Sequence, residues 1–492
     1  MLSLLTLCLI SLLMLWLGDK LNGQGMAVTR YLARMQAPLA AQAYPDDWGK
    51  QISVITYDNE FLRHNDYAWP IPYQDHADWL DRLTADPTGR PKALFLDITF
   101  GQARDDDGIQ DLAQVLCDIQ NTRGIPVFLA ALADPATGWL STHPALMQAQ
   151  QAAQPCLTLV GVTHHPDPID GVTWSYPLTV HAEQGQIVNG RPASPETPHF
   201  QSAALTLAEQ VGRIPLGEET HALALVWGKS HMPSRPSAYW QHCSPAKHWP
   251  WLAIPNFIRD ILGDTPVLLS CPTHDTLSMK QVGELEDEAL RTYTKDKYVF
   301  VGAMIDGYND FAQSPVQGRI PGVFVHAMAL DNLLTYGKRY KQDAGWAFPP
   351  SWGLALICCI TVFSVLLART CLRSAGKRLA ERYRTAPGLD RLAARGTAHP
   401  WLASTLRLTG RAAGWALRVW VQLIIATAMI ILLQHYFRIG SLPVIELIGM
   451  TLLAEGFNYL DKLRRYLGTR ISQQPAGGRS TPATSTIQKE TS

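Results

Sequence analysis

The stretch "KALFLDITFGQARDDDGIQDLAQVLCDI", residues 92–119, contains one complete structural unit. It begins with an apolar run that reaches Asp97, passes a glycine and three consecutive aspartates, and continues with apolar residues three or four positions apart. An unbroken apolar run is typical of a strand buried on both faces, and the later spacing is typical of a helix that packs on such a strand. The stretch therefore predicts a strand, a loop and a helix of an α/β fold.

The same alternation continues on both sides of this unit. Further strands are predicted at residues 51–58, 125–132, 156–162, 222–227 and 297–304, and further helices at residues 73–83, 199–211, 256–262 and 323–337, the last of which ends at a glycine. Alternating strands and helices with short connections favour a mostly parallel sheet with helices on both faces. We therefore expect an α/β domain over residues 18–346.

Four apolar segments flank this domain and predict transmembrane helices. They are residues 1–17, 347–368, 413–437 and 440–457. At a helical rise of about 1.5 Å per residue, even the first is just long enough for a hydrocarbon core of roughly 30 Å. We interpret it as an anchor, with an uncleaved or cleaved signal sequence as the alternative.

Glu446 lies within the fourth apolar segment. An ionisable residue in a membrane helix is costly and tends to face the interior of a helix bundle. We predict that Glu446 couples the last two membrane helices; a shallow position at the membrane interface is the alternative.

The distribution of basic residues predicts the orientation in the membrane. The whole chain has 42 Lys and Arg against 42 Asp and Glu, so its net charge identifies no partner. Residues 369–412, however, contain ten basic and only two acidic residues, and basic residues also follow the last apolar segment. The positive-inside rule then places this loop and the tail, 458–492, in the cytoplasm and residues 18–346 outside. The tail composition predicts disorder over most of its length.

Cysteines outside the apolar segments fit an oxidising compartment. Cys243 and Cys271 lie in polar, proline-rich surroundings, and we predict a disulfide between them. Cys117 and Cys156 lie in apolar surroundings, and we expect them to be buried thiols.

Acidic residues follow two of the predicted strands. Asp97 ends one strand and Asp107 precedes the next helix, and ligands of α/β sheets bind beside the carboxyl ends of strands. One interpretation is therefore a ligand or cation site. The alternative is that the aspartates at 105–107 cap the helix and offset its dipole.

The last predicted strand raises the same question. Asp306 and Asp310 follow it, and either ligand binding or turn stabilisation explains them. His326, on the next helix, either reaches a ligand in the same crevice or is a buried histidine bonded to a backbone carbonyl.

Other motifs indicate little chemistry. The remaining histidines of the least regular region lack the spacing of a zinc site, and we expect them at the surface: His164, His165, His242, His248 and His274. No catalytic motif, metal site, cofactor site or nucleic-acid-binding pattern is present, so we expect no enzyme. A hydrolase that uses Asp97, Asp107 and Asp310 is the least favoured alternative.

Several segments together resemble one known family. "ITYDNEF", "WPIPYQDHADWLDRL", "LFLDITFGQARDDDGIQDLA", "IPVFLA" and "KYVFVGAMIDGYNDFAQSPVQGRIPGVFVHAMALDNLL" occur in this order over about residues 44–340. They resemble the second type of CHASE domain, the cyclases/histidine-kinases-associated sensory extracellular family. The resemblance implies an N-terminal membrane helix, an external sensor and three closely spaced membrane helices.

Members of that family usually continue into a cytoplasmic output module. Residues 458–492 resemble neither a cyclase nor a kinase. We therefore expect a bacterial inner-membrane sensor that detects a small molecule or a protein and acts in trans on a membrane or cytoplasmic effector, with a homodimer as a natural arrangement. The alternative is a non-enzymatic scaffold or assembly protein of the envelope.

Overall fold

A computed structural model describes most of the chain between residues 40 and 342. It covers residues 40–101, 108–134, 136–181, 199–216, 221–245, 270–308 and 310–342, with a few positions between 30 and 38 and at 187–188, 191–192, 374 and 438. The described residues from 40 to 342 belong to one compact unit.

A mostly parallel sheet organises this unit. In spatial order its parallel strands are β12 (Asp275–Ser278), β1 (Ile52–Asp58), β13 (Tyr298–Met304), β2 (Ala93–Asp97), β3 (Val127–Ala133) and β5 (Thr158–Gly161). The short β4 (Leu140–Ser141) pairs antiparallel with the end of β3. Strand β13, the last strand of this sheet along the chain, therefore lies between β1 and β2.

Helices cover both faces of the sheet. They are α1 (Asn59–His64), α2 (Tyr73–Thr84), α3 (Ile109–Cys117), α4 (Pro144–Gln150), α5 (Ala203–Gln210), α6 (Met279–Glu284), α7 (Asp287–Thr294) and α8 (Val323–Tyr336). Alternate strand residues face opposite ways, so Ile55 and Tyr57 join the core with α1–α4, α6 and α7, whereas Ile52 and Val54 join the core with α5 and α8. The result is a three-layer α/β domain.

Small antiparallel pairs complete the described fold. They are β6 (Ser175–Tyr176) with β11 (Leu223–Ala224), β7 (Thr179–His181) with β10 (His199–Gln201), β8 (Ile187–Val188) with β9 (Arg191–Pro192), and β14 (Phe311–Ser314) with β15 (Gly318–Pro321). The β14–β15 hairpin connects the end of β13 to the start of α8.

Helix α8 is enclosed on every side. Every residue from Val323 to Leu334 is buried, which is the behaviour of a helix that is apolar around its whole circumference. Its first turn rests on Gly302 of β13, where an added Cβ would come within 2.7 Å of the Val323 Cβ. The helix ends at Gly337, which has a φ of +55° and provides the stop that the sequence predicts.

The polar residues in the second half of α8 hold neighbouring segments by hydrogen bonds. Asn332 accepts from the Val226 backbone N–H and donates to its C=O, both at 2.9 Å. Asp331 accepts a hydrogen bond from the Tyr44 hydroxyl at 2.9 Å, and its Oδ2 lies 3.1 Å from His274 Nε2. The expectation that His274 lies at the surface is therefore wrong, because Asp331 gives this buried ring a partner.

Most of the predicted elements are present in the domain. Strands β1, β2, β3, β5 and β13 and helices α2, α3, α5 and α8 match the predicted segments. Segment 222–227 is different: only Leu223–Ala224 is a strand, and it pairs with β6 outside the main sheet. The predicted helix at 256–262 lies outside the described residues.

The predicted membrane helices also lie outside the described residues. Among the residues that the structure does describe, no helix is both long enough and apolar enough to cross a bilayer.

Two disulfides occur in the described domain. Cys243 and Cys271 are joined at an S–S distance of 2.07 Å, which is the pair that the sequence favours. Cys117 and Cys156 are joined as well. The expectation of two separate buried thiols is wrong for this second pair, because the end of α3 and the segment before β5 bring their Cα atoms within 4.3 Å of each other.

We predict that Gly302→Ala destabilises the domain. The new methyl group would meet the Val323 Cβ, which cannot rotate away, and such overpacking costs about 2 kcal/mol, or about 4 °C in Tm. Thermal unfolding of the purified full-length protein tests this. Gly101→Ala is the matched control, because nothing lies within 4 Å of its added Cβ. Equal Tm values for the two variants would contradict the close packing of α8.

We predict that all four domain cysteines are oxidised in the native protein. In a variant that retains only these four, unreduced protein denatured in detergent should gain no maleimide-polyethylene glycol adduct, and reduced protein should gain four. Denaturation distinguishes disulfides from buried thiols, because in the unfolded protein every free thiol reacts with maleimide and a disulfide does not. Adding Cys243→Ala should expose one thiol, at Cys271. Four adducts without reduction would rule out both bonds.

Candidate functional site

Polar side chains converge where the carboxyl edge of the sheet meets the start of α8. We define the α8 crevice by five residues: Asp97, His164, Tyr176, Asp310 and His326. They come from the end of β2, the segment after β5, strand β6, the segment before β14 and the first half of α8, respectively. Carboxyl edges of parallel sheets are where α/β proteins bind ligands.

His326 lies at the base of the crevice. Its Nδ1 is 2.8 Å from the Tyr176 hydroxyl, and its Nε2 is 3.7 Å from Asp97 Oδ1. The Tyr176 oxygen accepts from the Ala204 backbone N–H, which favours donation of the hydroxyl hydrogen to Nδ1. Nε2 then carries the ring hydrogen and presents it toward Asp97.

Asp97 is close to His326 without a direct hydrogen bond to it. Their 3.7 Å separation exceeds a normal hydrogen-bond length, while only 9 % of the Asp97 side chain and 2 % of the His326 side chain are exposed. Burial raises the pKa of Asp97 well above its ordinary value and lowers the pKa of His326 to about 3. Burial therefore favours the uncharged form of both groups.

Asp310 forms the open side of the crevice. The residue as a whole is exposed, but its carboxyl group lies so close to Gly322 that a Cβ there would collide with it. Loss of hydration, and then the charge of Asp97, raise the pKa of Asp310. Two carboxyl groups that disfavour each other's ionisation thus share one crevice.

His164 borders the same crevice. Its ring centroid is 5.8 Å from that of His326, nearly perpendicular to it. Burial, followed by the charge of His326, lowers the pKa of His164 to about 4. His164 is half-buried, and the expectation that it is a surface residue is wrong, because the segment after β5 passes beside α8. His165 and His242 are exposed as expected, and His248 lies outside the described residues.

A comparison with known protein families assigns most of the chain to one family. Residues 5–368, well over half of the chain, match the CHASE2 domain. The chain belongs to the CHASE2 family. This is a family of extracellular sensory domains, so a sensory role for the domain follows at that general level. No curated protein and no solved structure matches the chain.

The CHASE2 domain brings together three of the residues that the sequence singles out, namely Asp97, Asp310 and His326. Asp306 is not among them: it is exposed, and its Oδ2 accepts from Asn59 Nδ2 at 2.8 Å on the β1 side of the loop. Asp107 and Glu446 lie outside the described residues. His326 is buried, but it bonds to the Tyr176 hydroxyl and not to a backbone carbonyl.

Two members of the crevice were not predicted. Tyr176 lies in a two-residue strand with no regular pattern, and nothing local to it indicates a histidine partner 150 positions away. His164 follows an apolar strand just as Asp97 does, and that position at a carboxyl end was the signal that could have found it.

The crevice of this CHASE2 domain suits a ligand that forms hydrogen bonds. It offers the Nε2–H of His326 and the two carboxyl groups, which donate or accept according to their protonation. Within the described residues, no group of three or more histidine, cysteine or acidic side chains could hold a metal ion.

We predict that Asp97→Asn stabilises the domain relative to wild type as the pH rises. The raised pKa means that folded Asp97 keeps its proton above the ordinary value of 3.8, where the unfolded chain has released it. The contribution of Asp97 to the free energy of unfolding of the wild type therefore falls as the pH rises. The amide of the variant does not titrate, so the variant has no such loss. Between pH 5 and pH 8 the Tm difference should move in favour of the variant by at least about 2 °C.

Thermal unfolding of both full-length proteins at the two pH values provides the measurement. Asp66→Asn is the control, because Asp66 is exposed and its backbone conformation suits asparagine equally well. A Tm difference between Asp97→Asn and wild type that is the same at both pH values, or that moves in favour of wild type at pH 8, would contradict the raised pKa.

Proposed function

We propose that this CHASE2 protein is a sensor of the bacterial inner membrane whose external domain detects a small molecule or protein signal in the α8 crevice. The observation that carries the proposal is that His326 of α8 and Asp310 of the segment before β14 both lie close to Asp97 at the end of β2. A ligand that bonds to both sides changes how α8 rests on the sheet. Differential binding to two arrangements is what a sensor requires.

The proposed path of the signal runs along α8 toward the second expected membrane helix. Helix α8 contains His326 in its first half and ends at Tyr336, and only residues 337–346 separate it from the expected membrane helix at 347–368. It is a buried, continuous helix, so a shift at its start is transmitted to its end. We propose four transmembrane helices, at 1–17, 347–368, 413–437 and 440–457, with residues 18–346 in the periplasm and the tail in the cytoplasm.

The output is proposed to act in trans. The basic loop at 369–412 and the tail at 458–492 offer cytoplasmic surfaces to an effector, and a homodimer gives the membrane helices two arrangements. Glu446 is proposed to tie the last two membrane helices together. The protein itself is proposed to have no enzymatic activity.

We predict that a variant in the crevice changes the contact with the effector. Full-length protein is crosslinked in native membranes and recovered, in parallel with His326→Gln and with a version that ends at Leu460. Wild type should recover a regulated enzyme such as a kinase or cyclase. His326→Gln should change its yield at least about threefold, because that corresponds to a modest allosteric coupling. The version that ends at Leu460 should recover no such enzyme.

Glu284→Gln is the control for this experiment, because Glu284 lies on α6 on the opposite face of the sheet and is exposed. Recovery of envelope proteins alone, in equal yield from all versions, would contradict the sensor and favour the scaffold.

A further inference from the structure

A second concavity opens on the other side of the loop that follows β13. We name it the β1 cleft. Its volume is about 630 Å³, within the range of small-molecule sites. It is lined by Asp58, Asn59, Glu60, Leu62, Arg63, Tyr67, Ala238, Tyr239, Met304 and Asp306. Asp58 ends β1 and Met304 ends β13, so this cleft also lies at the carboxyl edge of the sheet.

Asp58 is the most unusual residue of this lining. Only 3 % of it is exposed. Its Oδ1 accepts from the Phe61 backbone N–H at 2.8 Å and caps α1, but its Oδ2 is buried without a hydrogen bond of normal geometry. Burial raises its pKa, although the Phe61 amide and the Ser278 hydroxyl oppose the rise. A buried carboxylate oxygen that accepts no hydrogen bond of normal geometry is costly, so a stronger donor supplied by a ligand would be favourable.

The remaining charges leave the cleft negative. Glu60 is already paired with Lys280, at 2.7 Å, on the outer side of the cleft. Asp306 has the uncharged amide of Asn59 as its hydrogen-bond donor. Arg63 is the one cation in the lining, and it is exposed and bonds to the Asn59 carbonyl. Asp58 and Asp306 are therefore two carboxylates without an ion-pair partner among the described residues.

The walls between these carboxylates are apolar and aromatic. Leu62 and Met304 are buried side chains, and Tyr67 and Tyr239 are half-buried rings. Methylene groups pack well on such walls, and ring faces attract ammonium groups. We propose that the β1 cleft binds a small aliphatic amine, with its ammonium group toward Asp58 and Asp306 and its carbon chain against Leu62 and Met304.

The cleft and the α8 crevice share one structural element. The loop after β13 contributes to both: Asp306 lines the cleft, and Asp310 lines the crevice. Tyr308 fixes the loop by donating to the Trp69 carbonyl at 3.1 Å. An amine bound beside Asp306 thus acts on the same loop that positions Asp310. The binding proposal itself rests on the cleft alone and does not require the sensor function.

Calorimetric titration of the full-length protein in phosphatidylcholine nanodiscs tests the proposal. The probe is butane-1,4-diamine, and the uncharged comparison is butane-1,4-diol, which has the same chain. We expect one diamine site with a dissociation constant below about 1 mM and no measurable heat from the diol. Empty nanodiscs provide the blank for binding to lipid.

Variants locate the site. Asp58→Asn keeps the Oδ1 acceptor that caps α1 and removes the charge, so it should weaken diamine binding at least about tenfold with an unchanged Tm. Asp306→Asn should also weaken diamine binding. Because Asp306 is exposed, this second variant tests the site even if Asp58→Asn disturbs the fold. Asp97→Asn, in the neighbouring crevice, should change it less than about twofold.

Three results with the probes and the cleft variants would overturn the proposal, and a fourth comes from the neighbouring crevice. They are the absence of diamine binding, equal binding of the diol, and diamine binding that persists in both Asp58→Asn and Asp306→Asn. Loss of binding in Asp97→Asn alone would assign the amine to the α8 crevice and overturn it as well. None of these results depends on recovery of an effector, so failure here is separate from failure of the sensor function.

Discussion

The enclosure of α8 is the constraint on which the rest of the domain depends. A helix that is apolar around its circumference must be covered on all sides, and the sheet covers only one of them. Helix α5 and the segments around Trp227 and Trp240 cover the others. The described segments around Trp227 and Trp240 are therefore placed by the helix that they cover. Gly302 sets the distance of approach, because a side chain there would push the helix from the sheet.

Two pairs of aspartate and histidine involve this helix, and their environments differ. His274 and Asp331 are hydrogen-bonded at 3.1 Å, each side chain is 1 % exposed, and Tyr44 closes the remaining side. His326 and Asp97 are 3.7 Å apart beside an exposed Asp310. The first pair is hydrogen-bonded and holds the second half of α8, and the other ring nitrogen of His274, Nδ1, is buried without a hydrogen bond of normal geometry. The second leaves hydrogen-bonding capacity unused at the carboxyl edge, where a ligand can approach.

The sequence predicts the central strands and the longest helices because their apolar patterns are determined by burial in the sheet. Strand β12 and helices α6 and α7 were not predicted, since a short polar edge strand and two short helices have weak periodicity. Asp97, Asp310 and His326 could be predicted from their positions after strands and on the following helix. His164 was missed although its position after a strand offers the same signal, whereas Tyr176 and the unpaired oxygen of Asp58 could not be predicted, because these roles arise only when distant segments pack together. The Cys117–Cys156 bond depends in the same way on contact between separate elements.

The position of β13 has a consequence for how the domain is made. Strands β1 and β2 are both near the beginning of the chain, yet neither touches the other; each pairs with β13, which ends at Met304. During synthesis, no strand can join β1 to β2 until residues 298–304 have been made. Pairings between such distant segments form slowly, and their edges are open to wrong partners in the meantime. Completion of the sheet is thus a late event, because β13 must pair with β1 on one side and with β2 on the other.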